Sequence, residues 1–135
     1  MTTQAALENA VLEKLLNGKS ETFQILFRQY QASTVTQREM TGAGFTYFSV
    51  PREIPALPGA PSFSFGDVHA ALTGLKEGAG FLVTVNKGYL HDLEAYSYEE
   101  PWPRHFELIR LFYDKNESRN EDNVVKSFHA RRPIE

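Results

Sequence analysis

The hydrophobic period of this chain changes at Ser33, and that change limits the fold more than any other feature. Before it, apolar residues recur at helical spacing; after it, they alternate as in strands. Leu7, Ala10, Val11 and Leu15, widened by Leu12 and Leu16, form one stripe. Thr3 is placed as an N-cap and Gly18 as a stop, which predicts a helix over residues 4–17. Ser20 caps a second helix, in which Phe23, Leu26, Phe27 and Tyr30 share a face opposite Arg28, Gln29 and Gln31. The short loop between them makes the helices antiparallel or sharply crossed neighbours.

Residues 33–40 and 45–50 read as strands, interrupted at Gly42-Ala-Gly44. Pro51, Pro55, Pro58 and Pro61 mark a loop that cannot supply a regular ladder. Further strands are expected at 63–73, 81–85 and 89–98, with a three-residue hairpin at Asn86-Lys87-Gly88 and glycine in the left-handed position. Strict alternation cannot put Leu90 and Leu93 on one face, so a β-bulge is expected near His91–Asp92. Residues 106–113 form the last strand, with a short helix as the alternative. Residues 114–123 are almost wholly polar and read as a solvated linker; residues 124–128 have enough apolar character to dock as a short helix or strand.

The expected fold is therefore α+β: two N-terminal helices on a mainly antiparallel sheet of five to six strands. A single domain spans 1–113, and a polar linker and tail span 114–135. At 135 residues, with 41% hydrophobic residues, the chain can bury a core without metal or disulfide support. It contains no cysteine, which excludes thiolate nucleophiles and cysteine-based metal sites. The net charge of −3 leaves no basic surface for nucleic acid, and Arg131–Arg132 is a lone basic pair. No apolar window reaches membrane-spanning length and residues 1–8 have no basic signal-like region, so a cytoplasmic location is expected.

No pattern names a reaction. The histidines His69, His91, His105 and His129 lack zinc-ligand spacing. Asp67 and His69, two apart on one strand, would need His91 or Glu94 to complete a metal site; no metal and no cofactor is expected. Glu39 and Glu94 stand between apolar strand residues, where a carboxylate with a raised pKa can act as an acid or base. Equally, each can bind a tyrosine or arginine. Glu39, His69 and Glu94 are thus the candidates for catalysis. A phosphate loop at Gly42-Ala-Gly44 is disfavoured because a strand follows it, where that chemistry needs a helix N-terminus. Asp92, Glu94, Glu99 and Glu100 form acidic stretches suited to steering a basic partner, and Trp102 suits an interface anchor or a cover over the sheet edge.

The ordered segments Arg38-Glu-Met-Thr-Gly-Ala-Gly-Phe45, Ser49-Val-Pro51, Gly66-Asp-Val68, Gly74-Leu75, Gly78-Ala-Gly-Phe81, Leu93-Glu-Ala-Tyr-Ser-Tyr98 and Trp102-Pro103 carry a resemblance. Over residues 12–113 the chain resembles a group of small uncharacterised bacterial α+β proteins with a TGxGF…VP…GAGF…LExYxY…WP layout. The resemblance brings no catalytic residues with it. By analogy with other small acidic domains, it is compatible with a toxin-neutralising immunity protein. The expected function is a non-catalytic protein-interaction domain, immunity-like or regulatory, with another protein as partner and a homodimer as a further arrangement. The alternative is a small-molecule-binding protein or enzyme with a pocket between helices and sheet.

Overall fold

The computed structural model describes residues 1–40, 44–114 and 118–134. Helices α1 (Gln4–Leu15) and α2 (Glu21–Ala32) are followed by strands β1 (Thr34–Glu39), β2 (Phe45–Ser49), β3 (Phe63–Phe65) and β4 (Val68–Leu72). Next come β5 (Ala79–Asn86), β6 (Tyr89–Ser97) and β7 (Leu108–Tyr113), then α3 (Glu121–Lys126) and β8 (His129–Ala130). The fold is α+β, and all described strand pairs are antiparallel. The described sheet has eight strands, more than the five to six expected, in the order β1-β2-β6-β5-β3-β8, with β4 between β5 and β7.

Both N-terminal helices begin at the caps the sequence proposes. The Thr3 hydroxyl accepts from the Ala6 N–H at 3.1 Å and that of Ser20 from the Phe23 N–H at 3.4 Å. Leu7, Val11, Leu12 and Leu15 of α1 and Phe23 and Leu26 of α2 are buried against the sheet. From the sheet come Phe65, Val68, Ala70, Phe81, Val83, Leu90 and Leu93. Gln29, placed on the polar face from sequence, is fully buried. Its amide donates to the Pro55 and Gly88 carbonyls at 3.0 and 2.9 Å, and its oxygen accepts from the Leu90 N–H at 2.8 Å. A buried amide is tolerated because its polar atoms are satisfied.

The expected 63–73 strand is two strands. At the break, a Cβ on Gly66 would lie 2.0 Å from the Phe81 carbonyl oxygen, so the backbones meet where only glycine fits. The bend sends β3 to pair with β8 and β4 to pair with β7. The β5–β6 hairpin closes with two residues, Lys87 and Gly88, not three: Asn86 pairs with Tyr89, and both turn residues have positive φ (51° and 83°). That is the geometry of a type I′ turn, whose twist matches its strands. The bulge falls where expected: Thr84 faces Asp92 and Val85 faces Leu90, leaving His91 as the extra residue.

Strand β1, expected to be half-buried, is exposed along its whole length and forms one sheet edge. The first two residues of the Gly42-Ala-Gly44 turn lie outside the described residues. Beyond Tyr113 the described residues pack onto the domain: polarity concealed this for the described part of 114–123, while residues 124–128 dock as the sequence allows. The Arg119 guanidinium, with its side chain 4% exposed, forms a bidentate pair with Asp67 (2.9 and 2.6 Å) and lies over the Phe23 and Tyr113 rings. Phe128 stacks on Phe63 with centroids 4.3 Å apart. The Glu121 carboxylate accepts from the Lys19 and Ser20 N–H groups that lead into α2.

Candidate functional site

Strand alternation sorts side chains onto two faces, and the register shows which is which. Thr46 faces the helices, since its hydroxyl donates to Glu8 of α1 at 2.6 Å. Leu93 and Val83, its cross-strand neighbours, share that face. The next residues along point the other way: Asp92 is paired with Tyr47 and Thr84, and Glu94 with Phe45 and Leu82. No helix among the described residues packs on this outer face.

The bulge at His91 sets the centre of the site. It lets β6 bury Leu90 and Leu93 on one side while placing Asp92 and Glu94 together on the other. The Asp92 carboxylate contacts His91 Nδ1 at 2.6 Å, and its side chain is only 9% exposed. Burial pushes the Asp92 carboxyl up from its ordinary value, against the opposing pull of bonds from His91 and Thr84. The Glu94 carboxyl is raised by burial first and by the neighbouring Asp92 charge second. Two carboxylates two residues apart, both dearer to ionise than in water, form a site that gains from an incoming cation.

Aromatic rings extend the site along the face. Tyr47 stacks on Phe45 and meets His91 edge-on, while its hydroxyl donates to Glu39 at 3.4 Å. That hydroxyl is raised by loss of solvent and by the negative charges of Glu39, Asp92 and Glu94. In the other direction Tyr96 covers Gly80, where a Cβ would clash with its ring, and meets Tyr98 edge-on. Its hydroxyl is pushed up to about 12, chiefly by burial. A cavity of about 220 Å³ opens beside the carboxylates, bordered by Phe45, Thr84, Asn86, Asp92, Glu94 and Arg131.

The residues singled out from sequence divide between this face and other places. Asp92 and Glu94 lie side by side, and exposed Glu39 joins them through Tyr47. His69 is on the same face but pairs with Asp114 and stacks on Phe112. Asp67 is occupied by Arg119, so Asp67 and His69 share no ligand; no group of three metal-ligating side chains occurs among the described residues. None of Glu39, His69 and Glu94 lies between helices and sheet, where apolar side chains fill the interior.

Glu99 is exposed. Glu100 accepts from the Lys76 and Glu77 N–H groups at 3.0 and 3.1 Å, bonds that hold its carboxyl below the ordinary value and fix the preceding turn. Trp102 is half-buried edge-on to Phe106 and borders a separate surface cavity with Met1, Met40 and His105.

Sequence reasoning passed over Thr84 and Arg131 as members of the site, while a tyrosine partner for Glu39, here Tyr47, was expected. Only Arg131 left a signal, as half of the lone basic pair. A second, larger cleft of about 580 Å³ lies between α1, α2 and the β1 edge. At its floor Glu8 is held by Arg38 at 2.7 and 3.0 Å as well as by Thr46, so both carboxylate oxygens already have partners. Among the described residues, no helix is long and apolar enough to cross a membrane. Compared with protein-family models, curated proteins and solved structures, the chain shows no match.

Proposed function

We propose that this chain is a non-catalytic protein-interaction domain, of the toxin-neutralising or regulatory kind, that engages a basic partner through the outer sheet face. The observation that carries the reading is the Asp92–Glu94 pair, half-sunk among Phe45, Tyr47 and Tyr96. Rigid aromatic surface supplies contact area at low entropic cost, and the carboxylates select for positive charge. A partner arginine set against this pair recovers the free energy spent in burying it.

The test is affinity capture with the unaltered chain and with an Asp92→Asn/Glu94→Gln variant, followed by binding kinetics on the purified partner. A basic partner held by the unaltered chain, and bound at least about tenfold more weakly by the variant, supports the reading. Equal binding by the two chains removes this face from the function.

A second reading has one specific observation in its favour. Asp92, held by His91, borders the 220 Å³ cavity, which suits a small cationic ligand or substrate. It predicts that small amines raise the melting temperature of the unaltered chain and leave that of the Asp92→Asn variant unchanged. A flat response in both chains removes it.

A further inference from the structure

The outer face is not wholly bare. After β8 the chain turns across it, and residues 131–134 lie beside the two carboxylates. The Arg131 N–H donates to the Ser62 carbonyl at 2.9 Å, and its Nε donates to the Ser64 hydroxyl at 3.1 Å. Its charge acts on both Asp92 and Glu94. Three residues on, the Ile134 N–H donates to Asn86 Oδ1 at 2.8 Å, and Asn86 Nδ2 donates back to the Ile134 carbonyl at 3.2 Å. The Asn86 side-chain amide thus reads the backbone of an extended segment as a neighbouring strand would.

We infer that residues 131–134 are a built-in occupant of the acidic docking surface, a strap that a partner's extended, arginine-bearing segment must displace. The inference rests on the docking-surface reading above and adds to it the shape of the partner segment and a means of restraint. Three features carry it. The sequence's one basic pair, Arg131–Arg132, borders the same cavity as Asp92 and Glu94. The strap is held at its two ends by hydrogen bonds that any extended peptide could make. And residues 131–134 are all exposed, so little apolar burial secures them and they can leave without opening the core. A surface occupied by its strap nine-tenths of the time binds a rival about tenfold more weakly than a vacant one.

The experiment uses the full chain, unaltered and as Arg131→Asp, with a fluorescent peptide of the strap sequence preceded by Ala130, Ala-Arg-Arg-Pro-Ile, as probe. The substitution sets a negative charge against Asp92 and Glu94 and so expels the strap while leaving the surface intact. The expected result is peptide binding about tenfold tighter to Arg131→Asp than to the unaltered chain. Adding Asp92→Asn and Glu94→Gln to that variant should abolish the gain. Hydrogen exchange of the Ile134 amide is an independent measure on the chain without peptide. It should accelerate in the Asp92→Asn/Glu94→Gln variant, because the strap has lost its charge partner.

Equal peptide binding by the unaltered and Arg131→Asp chains would overturn the strap while leaving the docking surface standing. No peptide binding by either chain, with Ile134 exchange unchanged, would also overturn it. If both strap results hold but no basic partner depends on Asp92 and Glu94, the docking function fails and the strap stands as an intramolecular latch.

Discussion

Asp67→Asn and Arg119→Met together test how the segment after Tyr113 is bound to the domain. The Arg119 side chain is 4% exposed and that of Asp67 is 13% exposed, so solvent hardly screens the pair. Breaking a buried, bidentate ion pair by removing one partner leaves a stranded charge and costs about 3–5 kcal/mol. Asp67→Asn should fall at the lower end, since Arg119 keeps the Asn17 carbonyl at 2.8 Å and the Phe23 and Tyr113 rings. Arg119→Met should fall at the upper end, because a buried carboxylate is left without a cation. Unfolding entropy is about 2.1 cal/mol/K per residue, so for a chain of this length a loss of about 4 kcal/mol lowers the melting temperature by about 14 °C. The double variant strands no charge and should cost less than the sum of the singles, by about 2 kcal/mol. Urea denaturation of the four chains measures the free energies, and thermal unfolding the shift in melting temperature. Single losses below about 1 kcal/mol, or strict additivity, would show that the pair does not hold the segment.

Asp92→Asn should change how stability depends on pH. Burial raises the folded-state Asp92 pKa, so the stability linked to its proton is complete below the ordinary 3.8 and is lost as pH rises through the folded value. The asparagine variant cannot lose it, so its stability relative to the unaltered chain should improve from acid to neutral pH in denaturation curves. Gly66→Ala should cost more than about 2 kcal/mol, because the Phe81 carbonyl cannot yield without shifting β5. Gly59→Ala meets open space and carries only the left-handed backbone penalty, about 1 kcal/mol; similar melting temperatures for these two variants would refute the close-approach argument. Phe128→Ala should cost about 2 kcal/mol and speed hydrogen exchange at the Arg131 amide, since β8 loses its stack on Phe63.

Periodic burial was legible in the sequence, and interactions between distant segments were not. The helix stripes, both caps, the left-handed glycine and the His91 bulge all follow from local conflicts among neighbouring residues. The Gly66 break was hidden because its cause is the backbone of Phe81, fifteen residues away by number. Gln29 looked like a surface residue because its partner, the Gly88 hairpin, comes from another element. At the candidate site, the sequence grouped Asp92 and Glu94 only as an acidic stretch, and the register put them on one face. Spacing alone could not show that Tyr47 would bring Glu39 to them, or that Arg131 would cross the sheet to meet them. His69 and Asp67 illustrate the reverse: a suggestive spacing was divided between two partners, Asp114 and Arg119, that follow β7 in the chain.

The way α1 is anchored has a consequence in time. The Tyr113 hydroxyl donates to the Lys14 carbonyl at 2.9 Å and Arg119 to the Asn17 carbonyl, so the end of this early helix is secured by residues about a hundred positions later. A helix-sized stripe of leucines can form within microseconds, yet its covering surface exists only once the sheet has closed through long-range pairings. Refolding should therefore be limited by strand assembly, with helical structure present and its apolar stripe still unburied while the chain waits. That interval is when the protein is most exposed to aggregation, and the late segment that completes the fold also ends it.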